Sequence, residues 1–190
     1  GTTTAAATGK FSDFFRSIFK DEKTAEIVDS GFYSDLNQVM EDELFTAQVV
    51  GVSGDTQNAM VALDIYVKDS KLTEGRDKIQ VSAYCMSRET YENELASYAP
   101  WEAYGVQDEE NKNLYHVSLR TGIWLADGQE SVLEIVQIRL GSQKIIWDSY
   151  DVSIKFDLQV GTDAFYPVQY IYYEDQELKC DDITYDLIYV

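Results

Sequence analysis

Few residues of this chain are suited to catalysis or to metal binding. Its 190 residues include two prolines, two cysteines and one histidine, and 15 basic side chains stand against 34 acidic ones. Cys85 and Cys180 form no C-x-x-C pair, which argues against a zinc site. The net charge of −19 argues against nucleic acid and anionic membrane surfaces as partners. The sequence also contains no apolar run long enough to span a membrane.

The residues that are present do not form a recognisable catalytic motif. His116 lies in YHVSLR, where alternation places it on the strand face opposite Tyr115 and Val117. No serine lies in a G-x-S-x-G motif, and the glycines form no phosphate loop. The acidic loops lack the alternating ligand order of a calcium site. We therefore predict a protein that is not an enzyme, has no metal site or cofactor, and carries His116 as a surface or partly buried residue.

Residues 1–43 are predicted to form a flexible lead-in followed by an amphipathic helix. A single apolar stripe recurs at helical spacing: Phe11, Phe14, Phe15, Ile18 and Phe19. Ser12 is a candidate N-cap. The helix could lie on a membrane surface or pack on its own domain, and packing is favoured because its acidic and basic charges nearly balance. For residues 34–40, the sequence is compatible with either a short helix or an irregular linker.

From Leu44 onward, apolar and polar residues alternate, which is typical of strands. The predicted strands cover residues 45–52, 59–67, 78–86, 114–125, 132–140, 145–158, 166–174 and 182–190. SGDTQN (53–58) is predicted to be the loop of a β-hairpin, and one inserted helix is predicted to end before Pro100. The short turns favour an antiparallel, immunoglobulin-like β-sandwich spanning 44–190. A division into two smaller β units near Glu110 remains the alternative.

Candidate binding residues lie in and beyond the aromatic segment YAPWEAYG. Trp101 and Tyr104, together with Trp124, could stack on sugar rings if they are exposed. The favoured interpretation is that Trp101 and Tyr104 close one end of the sandwich. Cys85 and Cys180 could form a disulfide if their strands are neighbours, but two buried free thiols are the favoured interpretation.

Two stretches together resemble an uncharacterised ectodomain family of Gram-positive bacteria: FSDFFRSIF, then LNQVMEDELFTAQVVGVSGDTQNAMVALDIYV. Members often begin just outside a single transmembrane helix, and some carry a cytoplasmic anti-sigma-factor segment before it. The resemblance covers about the first seventy residues. It offers no catalytic residues to carry over.

This resemblance implies an extracellular, non-catalytic sensing or protein-interaction domain at the outer face of the cell membrane. Its anchor would be a segment upstream of this chain, and its partner a protein or another component of the cell envelope. A secreted or cell-surface carbohydrate-binding module is the alternative.

Overall fold

The protein is mainly β, and most of its strands belong to one antiparallel sheet. The computed structural model describes residues 11–144, 147–168, 177–180 and 183–186, with side chains described up to residue 168. The strands are β1 (Tyr33–Glu41), β2 (Phe45–Gly54), β3 (Ala59–Val67), β4 (Lys78–Ser87), β5 (Trp101–Gln107), β6 (Leu114–Arg120), β7 (Ser131–Gly141), β8 (Asp148–Leu158), β9 (Glu177–Cys180) and β10 (Ile183–Asp186). The described helices are a π-helical turn (Phe14–Ile18), α1 (Glu22–Asp29) and α2 (Arg88–Glu94), with short 3-10 turns between other elements.

The first eight strands form one curled sheet, a half-barrel, in the order β1-β2-β3-β6-β5-β4-β7-β8. The inward side chains of β2 to β8 join a single apolar cluster on its concave face. Phe45 of β2 and Tyr150 of β8 make an edge-to-face contact with ring centroids 5.5 Å apart. Five strands lie between β2 and β8 in the sheet, so this contact requires the sheet to curl. The predicted two-layer, immunoglobulin-like sandwich is therefore not confirmed, because curling buries the inner face of one sheet.

Two strands of the sheet were missed by the sequence analysis. Residues 34–40 were assigned to a short helix or a linker, but they belong to β1, which pairs with β2. β1 is mostly exposed and contains a bulge near Asn37, so its apolar alternation is weak. β5 starts directly after Pro100, and its inward residues are the small Ala103 and Gly105, which produce little hydrophobic signal.

The remaining strand predictions are confirmed where the described residues test them, with one correction. The strand predicted at 114–125 ends at Arg120, because Gly122 adopts a left-handed conformation and starts a turn. The loop between β2 and β3 is a hairpin loop, in which the Asp55 carboxylate accepts hydrogen bonds from the backbone N–H groups of Gln57 and Asn58. The predicted strand at 166–174 lies largely outside the described residues. Residue 43, the predicted domain boundary, falls between two paired strands, and residue 110 lies in the loop that joins the paired strands β5 and β6.

The N-terminal helical segments pack on the outer face of the sheet, as favoured over a membrane-surface helix. Phe11, Phe14 and Phe15 are buried with α1 against Ala62 of β3. The predicted N-cap is wrong, since Ser12 lies inside a helical turn. The helix also ends at Phe19 because Lys20 adopts a left-handed backbone conformation, and α1 begins afresh with Asp21 capping the N–H of Thr24. None of the described helices has the length and apolar character that a membrane span requires.

Phe15 should contribute strongly to stability because its side chain is fully buried between the helical segments and the sheet. We expect Phe15→Ala to lower the free energy of unfolding by about 3–5 kcal/mol in urea titrations. Ser17→Ala is the control, since Ser17 is exposed on the same helical turn. A loss below about 1 kcal/mol for Phe15→Ala would show that these helical segments are not part of the cooperative fold.

Candidate functional site

His116 lies on the outer face of the sheet and is held between two carboxylates. Its Nδ1 atom is 2.7 Å from Oδ1 of Asp64, and its Nε2 atom is 2.8 Å from Oδ2 of Asp108. Asp64 is the direct cross-strand partner of His116 in β3. Asp108 follows β5, and its other oxygen accepts hydrogen bonds from the N–H groups of Glu110 and Asn111. Asp108 is therefore held by its own turn as well as by the imidazole, whereas strand pairing brings Asp64 to His116.

The electrostatics of this group favour a protonated imidazole. The hydrogen bond to Asp64 raises the pKa of His116 above its ordinary value, with Asp108 adding to the effect and burial opposing it. The pKa of Asp108 is lowered, chiefly by its hydrogen bond to His116. A histidine whose two nitrogens both meet carboxylates has no nitrogen left to deprotonate a nucleophile. The group is therefore suited to structure and to charge display rather than to base catalysis.

A cavity of about 740 Å³ lies beside His116, between the π-helical turn and the sheet. We call it the helix–sheet cavity. It is lined by carboxylates, small polar groups and apolar side chains of both elements: Phe11, Asp13, Phe14, Ser17, Ile18, Asp35, Asn37, Gln48, Val50, Asp64, Asp108 and His116. Phe14 places its ring edge-on to the imidazole, with centroids 5.8 Å apart. The cavity thus combines an acidic lining with apolar walls.

A second surface feature lies at the end of the sheet where β5 begins. Tyr98, Trp101 and Ile123 are 38%, 40% and 45% exposed, and Trp124 is half-buried beside them. The rings of Tyr98 and Trp124 meet edge-to-face with centroids 6.1 Å apart. The ring of Trp101 lies over Gly122, immediately before Ile123 in the chain. We call these four residues the aromatic patch.

The patch arises from the topology of the sheet. The connection between β6 and β7 must pass the ends of β5 and β4, so it brings Gly122 under the ring of Trp101 and Trp124 against Tyr98. Leu125, in the same connection, is buried in the core and anchors it. Gly122 adopts a left-handed conformation directly beneath Trp101.

Only part of the predicted aromatic site is assembled. Trp124 meets Tyr98, and Trp101 lies over Gly122 of the same connection, two residues before Trp124 in the chain. Tyr104 is 65% exposed but lies on the outer face of β5, whereas Trp101 alternates with it and shares the face of Ala103. The three predicted residues do not form one platform.

Cys85 is fully buried in the core, and burial raises the pKa of its thiol to about 12. The side chain of Cys180 lies outside the described residues, so pairing of the two cysteines stays a prediction. Within the described part of the chain, no three His, Cys, Asp or Glu side chains are placed to hold a metal ion.

Sequence reasoning found the aromatic cluster but missed the carboxylate–histidine group. Alternation correctly predicted that His116 points away from Tyr115 and Val117, both of which are buried. Asp64 also fell on the polar face of its predicted strand. What was missing was the pairing of β3 with β6, which alone brings Asp64 to His116.

The pKa of His116 should exceed 6.5, the ordinary value. The chain has one histidine, so its ring signal in a proton NMR titration is unambiguous. Because the folded pKa is raised, the stabilisation from His116 is complete below the unfolded pKa and is lost as pH rises through the folded one. Asp108 behaves oppositely: its contribution is complete above its unfolded pKa and is lost as pH falls through the lowered value.

At pH 6, His116→Gln should therefore lower the free energy of unfolding by about 1–3 kcal/mol, because hydrogen bonds to charged groups are lost. The difference from the unmodified protein should shrink as pH rises toward 9. A titration midpoint at or below 6.5, or a difference that does not vary with pH, would contradict the assigned charge state.

The Cys85 thiol should be chemically inert in the folded protein, since a buried thiol of raised pKa forms almost no thiolate. Iodoacetamide at pH 8 should leave Cys85 unmodified by peptide mass spectrometry, and should alkylate it once urea unfolds the chain without reductant. Protection that persists in urea and disappears in a Cys180→Ser variant would instead establish the disulfide.

Comparison with protein-family models, with curated proteins and with solved structures found no match to this chain.

Proposed function

We propose that this chain is a non-catalytic binding domain that recognises a protein partner through the aromatic patch. The observation that carries the proposal is the exposure of Tyr98, Trp101 and Ile123 at one end of the sheet, where Tyr98 meets Trp124 and Trp101 lies over Gly122. Large apolar side chains scattered singly over a surface need no explanation, but a contiguous exposed group marks an interaction surface. Tryptophan and tyrosine are the side chains that contribute most to protein–protein interfaces.

The charges near the patch indicate the chemistry of the partner. Exposed carboxylates flank it along the chain at Glu94, Glu102 and Asp127, and the whole protein carries a charge of −19. Arg120, at the end of β6, is an exposed cation in the same region. A partner with an apolar centre and a mainly basic rim would complement this arrangement.

The resemblance of residues 11–69 to ectodomains of Gram-positive bacteria supports a place at the extracellular face of the cell membrane. In this proposal the domain is held there by an upstream membrane segment and senses or contacts another component of the cell envelope. A link to anti-sigma-factor signalling follows from the same resemblance.

The second candidate is a carbohydrate-binding module, which the exposed ring of Trp101 favours. Aromatic side chains stack on the apolar faces of sugar rings when they present an open face. The edge-to-face arrangement of Tyr98 and Trp124, with rings inclined at 83°, gives no flat aromatic platform. The protein partner is therefore preferred.

The two functions are separated by paired variants on one strand. Trp101→Ala removes the centre of the patch, whereas Tyr104→Ala removes a more exposed aromatic residue from the other face of β5. We expect an envelope protein of the source bacterium to be retained by the unmodified domain and by Tyr104→Ala, but not by Trp101→Ala. With that partner purified, the dissociation constant should rise about 10- to 100-fold for Trp101→Ala, as for a central interface residue.

Loss of binding in both variants, or in neither, would contradict the proposed surface. Retention of a glycan on an array, dependent on Trp101 and not on Tyr104, would replace the first candidate with the second.

A further inference from the structure

We propose that the helix–sheet cavity is a binding site for a small organic cation with an apolar body, such as an arylalkyl ammonium ion. The cavity lies next to Asp108, which follows the last residue of β5, whereas the aromatic patch lies where β5 begins. The two sites are thus at opposite ends of one strand, and the inference does not depend on the proposed partner.

The size and the walls of the cavity suit such a ligand. A volume of about 740 Å³ falls within the range of small-molecule pockets. The helical turn contributes Phe14 and Ile18 and the sheet contributes Val50, so apolar groups approach from both sides. The apolar body of a ligand would pack between these two walls, and this two-sided cleft is what makes a site of the cavity.

The charges of the lining set the sign of the ligand. Asp13, Asp35, Asp64 and Asp108 all line the cavity, and no lysine or arginine does so among the described residues. The imidazolium of His116 offsets one of these charges, and the lining remains net negative. An anion would meet repulsion here, while an ammonium group would find acceptors for its three N–H donors.

Asp13 and Asp35 are the groups available to the ligand. Asp64 and Asp108 are already engaged by His116, at 2.7 and 2.8 Å. Asp13 projects from the helical segment and Asp35 from β1, and both are exposed. A cation between them would bridge the N-terminal helical segment and the edge of the sheet.

The test uses phenethylammonium as the probe, with 2-phenylethanol and 3-phenylpropionate as its neutral and anionic counterparts. At pH 7 and low ionic strength, calorimetry should detect binding of the cation, with the neutral and anionic probes at least roughly ten-fold weaker. The ring signals of His116 should shift with the same dissociation constant, because the only histidine of the chain lines the cavity.

Charge-removing variants then locate the site. Asp13→Asn and Asp35→Asn should each raise the dissociation constant about two- to five-fold, as expected for exposed ion pairs. The double variant should raise it roughly ten-fold. Glu43→Gln is the matched control, because it removes one charge from an exposed residue outside the cavity and should leave binding unchanged.

Absence of binding at about 10 mM phenethylammonium, a concentration that detects weak ligands, would overturn the proposal. Equal binding of 2-phenylethanol would also overturn it, as would equal effects of Glu43→Gln and Asp35→Asn on the dissociation constant. Binding that leaves the His116 signals unmoved would also overturn it, since the cation would then occupy another place.

Discussion

The inward side chains of the half-barrel bury one another, and the position of every surface feature depends on that packing. Residues from β2 through β8 share one apolar cluster, and Phe45 reaches Tyr150 across the concave face. Burial of this kind is the main favourable contribution to folding. Because the concave face is filled by its own residues, binding features are left to the outer face and to the ends of the strands.

Alternation of apolar residues predicted most of the strands and the side of each that faces the core, since that pattern is local. It failed for β1, which has little to bury, and for β5, whose inward positions are Ala103 and Gly105. At Gly105 a side chain would collide with the backbone of His116 and with Ile79, so close strand approach suppresses the signal at that position. The curl also escaped prediction, because alternation describes faces and not neighbours.

The candidate sites show the same limit, since local sequence identifies residues but does not identify their neighbours in the fold. Trp101 and Trp124 could be named as binding residues from their chemistry alone, but the contacts of Trp101 with Gly122 and of Trp124 with Tyr98 come from a connection that crosses the ends of two strands. Asp64, His116 and Asp108 lie in three separate sequence segments with no shared motif. Their meeting requires the β3–β6 pairing and the turn after β5, both of which are decided by tertiary structure.

The strands β4, β5 and β6 form a block inserted between β3 and β7, and this order bears on how fast the chain folds. The β3–β6 and β4–β7 ladders join residues far apart in sequence, such as Leu63 with Val117 and Val81 with Ile138. The entropy of closing such loops is lost before the ladders form, so we expect assembly in milliseconds to seconds, after the local hairpins. The connection that displays Ile123 and Trp124 lies within the chain that the β4–β7 ladder closes, so it takes its final place late in folding.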